Sequence, residues 1–403
     1  MSDRRAGRLA IVTSHPIQYQ APWFRALSKE INLHVFFCHR QDAAGQAAAG
    51  FGQAFEWDVP LLDGYEYSWL ENVSPVPGVE TFSGCDTPEI GGRLRAGGFD
   101  ACLVNGWYLK SYVQAVRACR KLRMPILMRG DSQLVTARSR LWMAVKYWPY
   151  RWFLSRIDAH LYVGCANYRY LRHYGVPPTR LFPVRHFVDN DRFAGAASAA
   201  RADGSVATLR ETWGAGAGTT VLLFAGKLIE KKRPLDFVDA IGRAARRGAP
   251  VIGVVVGAGP LEDVLRARVG AADAPVRFAG FQNQTALPGY YAAADCLVLP
   301  SDGGETWGLV VNEAMACGVP AIVSDAVGCR EDLIENDVTG ASYGLADVDA
   351  LTDAVIACAS RSCDAVERMQ AAVLERIDQY SCEAAVQGAL TALQAVATHR
   401  GWS

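Results

Sequence analysis

Short runs of β-branched and apolar residues alternate along this chain with longer stretches of helical periodicity. That alternation restricts the fold more than any other feature, because strands alternating with helical segments pair in parallel through crossover helices. In the first half the runs fall at 9–13, 33–38, 101–104, 126–128 and 159–163. In the second half they fall at 221–225, 251–256, 276–279, 296–299 and 321–324. Each ends in a polar or glycine-bearing loop, and in an open parallel sheet ligands gather at the carboxyl ends of strands. The first-half candidates for a site are therefore His15, Asn105, Gly106, Arg129, Gly130, Asp131 and Asn167.

Between the two series the texture changes to DNDRFAGAASAARADGSVATLRETWGAGAGTT, poor in large apolar residues. This predicts a first α/β domain over 1–190, a linker over 191–218 and a second α/β domain over 219–380. A helical segment over 381–403 is expected to pack back on the first domain. The chain has 403 residues, half of them hydrophobic and 20% charged, which excludes disorder over most of its length. Its 41 basic residues balance 41 acidic ones, and a neutral total argues against a duplex-binding protein, leaving room only for local basic patches, so no nucleic-acid partner is expected. Eleven cysteines without a CxxC pair, several of them single within apolar runs, suit a reducing, cytoplasmic compartment. The N-terminal apolar stretch reads as a first strand, and no run approaches the ~20 residues of a membrane span.

Chemistry concentrates in two second-half segments. In PSDGGETWGLVVNEAMACGVPAIVSD a strand runs into a glycine-bearing turn and then a helix from near Trp307 to about Cys317, stopped by Gly318 and Pro320. The N–H groups of Gly308, Leu309 and Val310 would meet the carboxyl edge of the sheet, where a helix start favours a phosphate. Glu305 in the turn and Glu313 on the helix frame that edge. Taken singly, each glutamate also fits a cap or a solvated helix face. In VLLFAGKLIEKKRPLDFVDAI, Gly226 and Lys227 follow a strand, and Lys231, Lys232 and Arg233 lie in the next turn. Cations at a strand end suit a diphosphate leaving group.

These residues carry a resemblance. The segment from Pro300 to Asp325 resembles the E-x7-E signature of retaining glycosyltransferases of family 4. Such enzymes have the GT-B fold, two Rossmann-like doubly wound α/β domains facing across a cleft, and use nucleotide-sugar donors. The resemblance implies that Glu305 lies at the donor sugar and that Glu313 binds the nucleotide ribose. It implies that Lys227 and Lys232 assist the departing diphosphate, with Lys227 standing where the family usually has arginine. VIGVVVGAGPLEDVL, with Gly257, and FAGFQNQTALPGYYAAADCLVLP, with Phe281, resemble the segments that hold the nucleotide and its base. Trp307, Gly308, Leu309 and Gly226 complete the donor-binding set. On the acceptor or sugar side stand His15, Asn105, Arg129 and Asp131. The first half resembles the family less, lacking its glycine pair and its histidine.

The implied activity is retaining transfer of a glycosyl group from a nucleoside diphosphate sugar to a hydroxyl, lipid-linked or carbohydrate, in polysaccharide, glycolipid or glycoconjugate biosynthesis. A sugar-nucleotide epimerase of the same fold and a non-catalytic binding protein remain alternatives. GAGPLE begins like a dinucleotide fingerprint but lacks its last glycine, and no cofactor is expected. Residues 138–158 mix tryptophans and tyrosines with arginines and lysine. A core-facing helix broken near Pro149 is expected, with peripheral contact at the inner membrane face as the alternative. Asp189-Asn190-Asp191 spells D-x-D but sits at the domain junction, where a turn is expected and no metal site. Transfer is accordingly expected to survive EDTA. Activity abolished by the chelator and restored by manganese would refute this.

Overall fold

The β-branched runs become strands, and these assemble into two separate sheets in a computed structural model that describes residues 7–46, 52, 54–134 and 140–399. The chain divides into two compact units. The first comprises the residues up to Asp42, Pro60–His186 and the C-terminal helix. The second comprises Ala43–Val59 and Phe187–Ser381.

The first unit holds β1 (Arg8–Thr13), β2 (Asn32–Phe37), β3 (Glu66–Trp69), β4 (Ala101–Val104), β5 (Ile126–Gly130), β6 (Ala159–Tyr162) and β7 (Leu181–Pro183). They lie in the order β3-β2-β1-β4-β5-β6-β7. The second holds β8 (Thr220–Ala225), β9 (Val251–Val256), β10 (Val276–Gly280), β11 (Cys296–Leu299), β12 (Ala321–Ser324) and β13 (Gly340–Tyr343). Their order is β10-β9-β8-β11-β12-β13. Adjacent strands in both sheets are parallel, as in the β8/β9 register Val221↔Ile252 and Leu223↔Val254. Helices cover both faces of such sheets, so central strands are apolar throughout; every residue of β9 is buried.

Each sheet is wound in two directions from its centre. In the first, successive strands step outward from β1 one way and from β4 the other; in the second, β8 and β11 play these parts. At such a switch point the flanking loops diverge and leave a crevice at the carboxyl edge. Ser14 and His15 follow β1, and Asn105 follows β4. Gly226 and Lys227 follow β8, and Pro300 to Gly308 follow β11.

Two expectations are corrected. The segment 191–218 is largely helical: Asn190–Ala202 and Ser205–Trp213 are helices, and Phe193, Ala197 and Trp213 are buried in the second unit's core beside Leu223, Leu297 and Met315. These three buried side chains anchor helices of 13 and 9 residues, the first of them alanine-rich. Asp189 caps the first of these helices by accepting from the Arg192 backbone N–H at 3.1 Å, so DND is a helix start. The second correction concerns 138–158. The helix Arg140–Leu154 continues through Pro149 and leaves Trp148 and Trp152 exposed, while Leu154 is buried. Arg156 lies 3.7 Å over the Trp152 ring. Arg138 falls outside the described residues, as does the side chain of Trp142. Among the described residues no helix is long and apolar enough to cross a membrane.

The C-terminal helix Cys382–His399 packs against the helix Gln20–Ser28 and against β6 and β7 of the first unit. Its approach depends on Gly388, where an added Cβ would lie 1.9 Å from the Pro183 carbonyl oxygen. Gly388→Ala is expected to destabilise the first unit by about 1–3 kcal/mol, through overpacking. Thermal unfolding indistinguishable from the parent would show that the helix is not held this closely.

Candidate functional site

In the second unit the backbone turns that follow β8 and β9 at the carboxyl edge lie too close together for a side chain at the second of them. Gly226 (φ +149°) and Gly257 (φ +143°) end β8 and β9, and a Cβ on Gly257 would fall 1.9 Å from the Gly226 carbonyl oxygen. The Gly226 N–H donates to the Val256 carbonyl at 2.9 Å, and the Gly257 N–H to the Gly280 carbonyl at 2.8 Å. Glycine is therefore required at 257 by contact as well as by backbone angle, and at 226 by backbone angle.

Lys232 and Glu305 meet across the switch point. Lys232 ends a turn of 3-10 helix (Glu230–Lys232) after β8, and its ammonium pairs with the Glu305 carboxylate from the loop after β11. Both side chains are only about a tenth exposed, at 11% and 12%. The backbone supports the pair: the Asp302 N–H donates to the Lys231 carbonyl at 2.8 Å and the Glu305 N–H to the Asp302 carbonyl at 3.0 Å. On the other side the Gly328 N–H donates to the Glu305 carbonyl at 3.1 Å. Lys227 is half-buried on the same edge, whereas Lys231 is exposed and Arg233 is tied to Asp236 at 2.7 Å.

The helix after this loop is Leu309–Ala316, with Gly308 at its start (φ +98°) and no side chain capping it. Trp307 is buried and donates from Nε1 to Asn312 Oδ1 at 2.7 Å, which fixes the turn against the helix. Leu309 is half-buried against the core. A Cβ on Gly308 would lie 2.7 Å from Leu299, so this residue is packed from beneath.

Glu313 stands one turn further in, buried, and its Oε2 accepts from the Tyr291 hydroxyl at 2.7 Å. Burial pushes its carboxyl above the ordinary value of 4.5, while hydrogen bonds from Tyr291 and Gln284 and the charges of Arg192 and Lys232 act the other way. Arg192 in turn donates to the Gln284 side-chain oxygen and carbonyl, each at 2.8 Å. Tyr291, Gln284 and Arg192 form the support that sequence reading missed. Their polar atoms sit in apolar-looking or alanine-rich stretches, and only tertiary packing directs them to Glu313. Phe281, just beyond β10, is half-buried at the same edge.

In the first unit His15 and Asn105 flank the switch point. The Gln20 side-chain oxygen accepts from Thr13 Oγ1 at 3.2 Å and from Asn105 Nδ2 at 3.3 Å. The His15 ring lies 3.0 Å from Ser14 Oγ, and burial, reinforced by His39, lowers its pKa to about 4, so it is neutral at pH 7. Arg129, at the end of β5, is buried rather than presented at a surface; its guanidinium lies 3.4 Å from His186 Nδ1 and from the Arg185 carbonyl oxygen. Burial lowers its pKa to about 10. Asp131, two residues on, is exposed. The structure thus brings His15 and Asn105 together and sets Arg129 and Asp131 one strand further along. His186 was not expected from the sequence.

Residues 219–361 match the family described as Glycosyl transferases group 1. The D-inositol 3-phosphate glycosyltransferase 2 of Catenulispora acidiphila is 36% identical over 174 residues, covering 39% of this chain and 38% of that protein. The phosphatidyl-myo-inositol mannosyltransferase of Mycobacterium leprae is 31% identical over 182 residues, covering 45% and 48% respectively. The matched stretches thus span less than half of these curated relatives. Among solved structures, a Rickettsia africae glycosyltransferase superposes with TM-score 0.73 at 12% identity, covering 97% of this chain and 98% of that one. Anabaena HepE in complex with UDP and glucose does so with TM-score 0.68 at 14% identity, covering 96% and 99%.

The architecture these comparisons define is GT-B, two Rossmann-like units in one chain. The stretch 219–361 that matches the glycosyl transferases group 1 family carries Lys227, Lys232, Glu305 and Glu313.

Glu313 yields a test of the buried network. Its raised pKa means that the folded state holds a proton the unfolded chain has lost. The stability present below pH 4.5 therefore declines as pH rises from that value through the folded-state pKa. Glu313→Gln lacks this titration, so its stability relative to the parent should increase over that window in denaturant unfolding. A difference that is flat or falls with pH would contradict the burial described.

Proposed function

We propose that the protein is a retaining glycosyltransferase, moving a sugar from a nucleoside diphosphate sugar to an acceptor hydroxyl. The observation that carries this reading is the Lys232–Glu305 pair at the second switch point, beside the uncapped helix start at Gly308. The donor diphosphate is assigned to Lys227, Lys232 and the N–H groups of Gly308 and Leu309, where cations and a helix start both favour an anion. Glu305 holds Lys232 in place when no phosphate competes for it, and faces the donor sugar when one does. Glu313, oriented by Tyr291, accepts from the ribose hydroxyls. Acceptor recognition falls to the first unit, with His15 and Asn105 as its candidates. The names of the curated relatives, which cite inositol phosphate and phosphatidylinositol, support a polyol or glycolipid acceptor.

In the reaction the acceptor oxygen forms a bond to the anomeric carbon as the bond from that carbon to the β-phosphate oxygen breaks. The bonding pair stays on the phosphate, whose charge Lys227 and Lys232 offset. The acceptor proton passes to a phosphate oxygen on the same face, which gives retention without a protein nucleophile. A buried carboxylate that loses its partner costs about 3–5 kcal/mol, so Lys232→Ala is best paired with Lys232→Ala/Glu305→Ala as a folding control.

A thermal-shift screen of nucleoside diphosphates identifies the donor, since a ligand of the folded state raises Tm. With that donor, Glu313→Ala is expected to weaken donor binding and Lys232→Ala to lower kcat by about 100-fold. The product should retain the donor's anomeric configuration by NMR. Unchanged kinetics in both variants, or inversion, would overturn the proposal.

A further inference from the structure

The segment Phe55 to Asp58 lies between β2 and β3 in sequence but belongs to the second unit. It is fastened there by three residues, Phe281, Asn283 and Thr285. The Phe55 ring lies 4.5 Å from that of Phe281, and Trp57 meets Phe55 edge-on at 4.9 Å. Asn283 Nδ2 donates to the Glu56 carbonyl at 2.7 Å. The Thr285 N–H lies 3.2 Å from both Asp58 carboxylate oxygens, and its hydroxyl donates to one of them. Three residues before Phe55, Gly52 abuts the β9 loop: a Cβ there would lie 3.6 Å from Gly259 Cα. The strap therefore runs along the carboxyl ends of β9 and β10, beside the glycine turns of the candidate donor site.

Phe55, Trp57 and Phe281 are all half-buried at this edge and so not sealed in the core. Aromatic faces beside a diphosphate-binding turn suit a nucleobase, because every base offers a π-face for stacking. We infer that the strap Phe55–Asp58 is part of the nucleobase site, with Phe55 supplying a ring beside Phe281 and Asp58 a positioning residue that anchors the strap through Thr285. This rests on the donor reading above and adds to it a contribution from the first half of the sequence, which no motif there announces.

Binding of uridine, guanosine and adenosine diphosphates and of inorganic pyrophosphate to the full chain, measured by calorimetry, separates the possibilities. Phe55→Ala is expected to weaken the preferred nucleoside diphosphate about tenfold and to leave pyrophosphate affinity unchanged. Phe55→Tyr should restore the loss, and Asp58→Ala should repeat it in part. An unaltered nucleotide affinity in Phe55→Ala, or an equal loss for pyrophosphate, overturns the strap's role while leaving the donor reading intact. Failure of the parent protein to bind any of the three nucleotides overturns both. Unfolding curves matching the parent's exclude loss of fold as the cause.

Discussion

The ion pair between Lys232 and Glu305 ties together the two loops on which the second unit's candidate chemistry rests. One loop leaves β8 and the other leaves β11, the strands from which the sheet is wound in opposite directions. Parallel strands at such a point send their following segments apart, so something must hold the loops in register. Here a largely buried charge pair does so, with backbone hydrogen bonds from Asp302 and Gly328 on either side. The pair costs desolvation, and beside it the glycines at 257 and 308 occupy places where a side chain would collide.

The central strands were legible in the sequence because burial on both faces demands unbroken apolar runs. The unexpected strands are β3 (Glu66–Trp69), β7 (Leu181–Pro183) and β13 (Gly340–Tyr343), and all three lie at sheet edges. An edge strand pairs on one side only and is freer to carry glutamate, proline or serine, so its signature fades. The helices Asn190–Ala202 and Ser205–Trp213 hid for a related reason: few large apolar side chains, Phe193 and Trp213 among them, anchor them to the core, and the first is rich in alanine.

The site shows the same division. Glu305, Glu313, Lys227 and Lys232 stood out because a strand-turn-helix pattern fixes where they emerge. Tyr291, Gln284 and Arg192 did not, since hydrogen bonds between residues separated by up to 92 positions leave no local trace. Arg129 was read as a presented cation from its place after a strand. Burial by Trp23 and the 185–186 segment makes it an internal one instead.

The first unit is discontinuous in a way that bears on synthesis. Its sheet ends at β7, near residue 183, yet the helix Cys382–His399 that covers β6, β7 and the helix Gln20–Ser28 is translated about two hundred residues later. On the ribosome the nascent first sheet must wait, with that apolar flank bare, while the whole second unit emerges. The first unit's packing is thus completed only after the second unit has been synthesised.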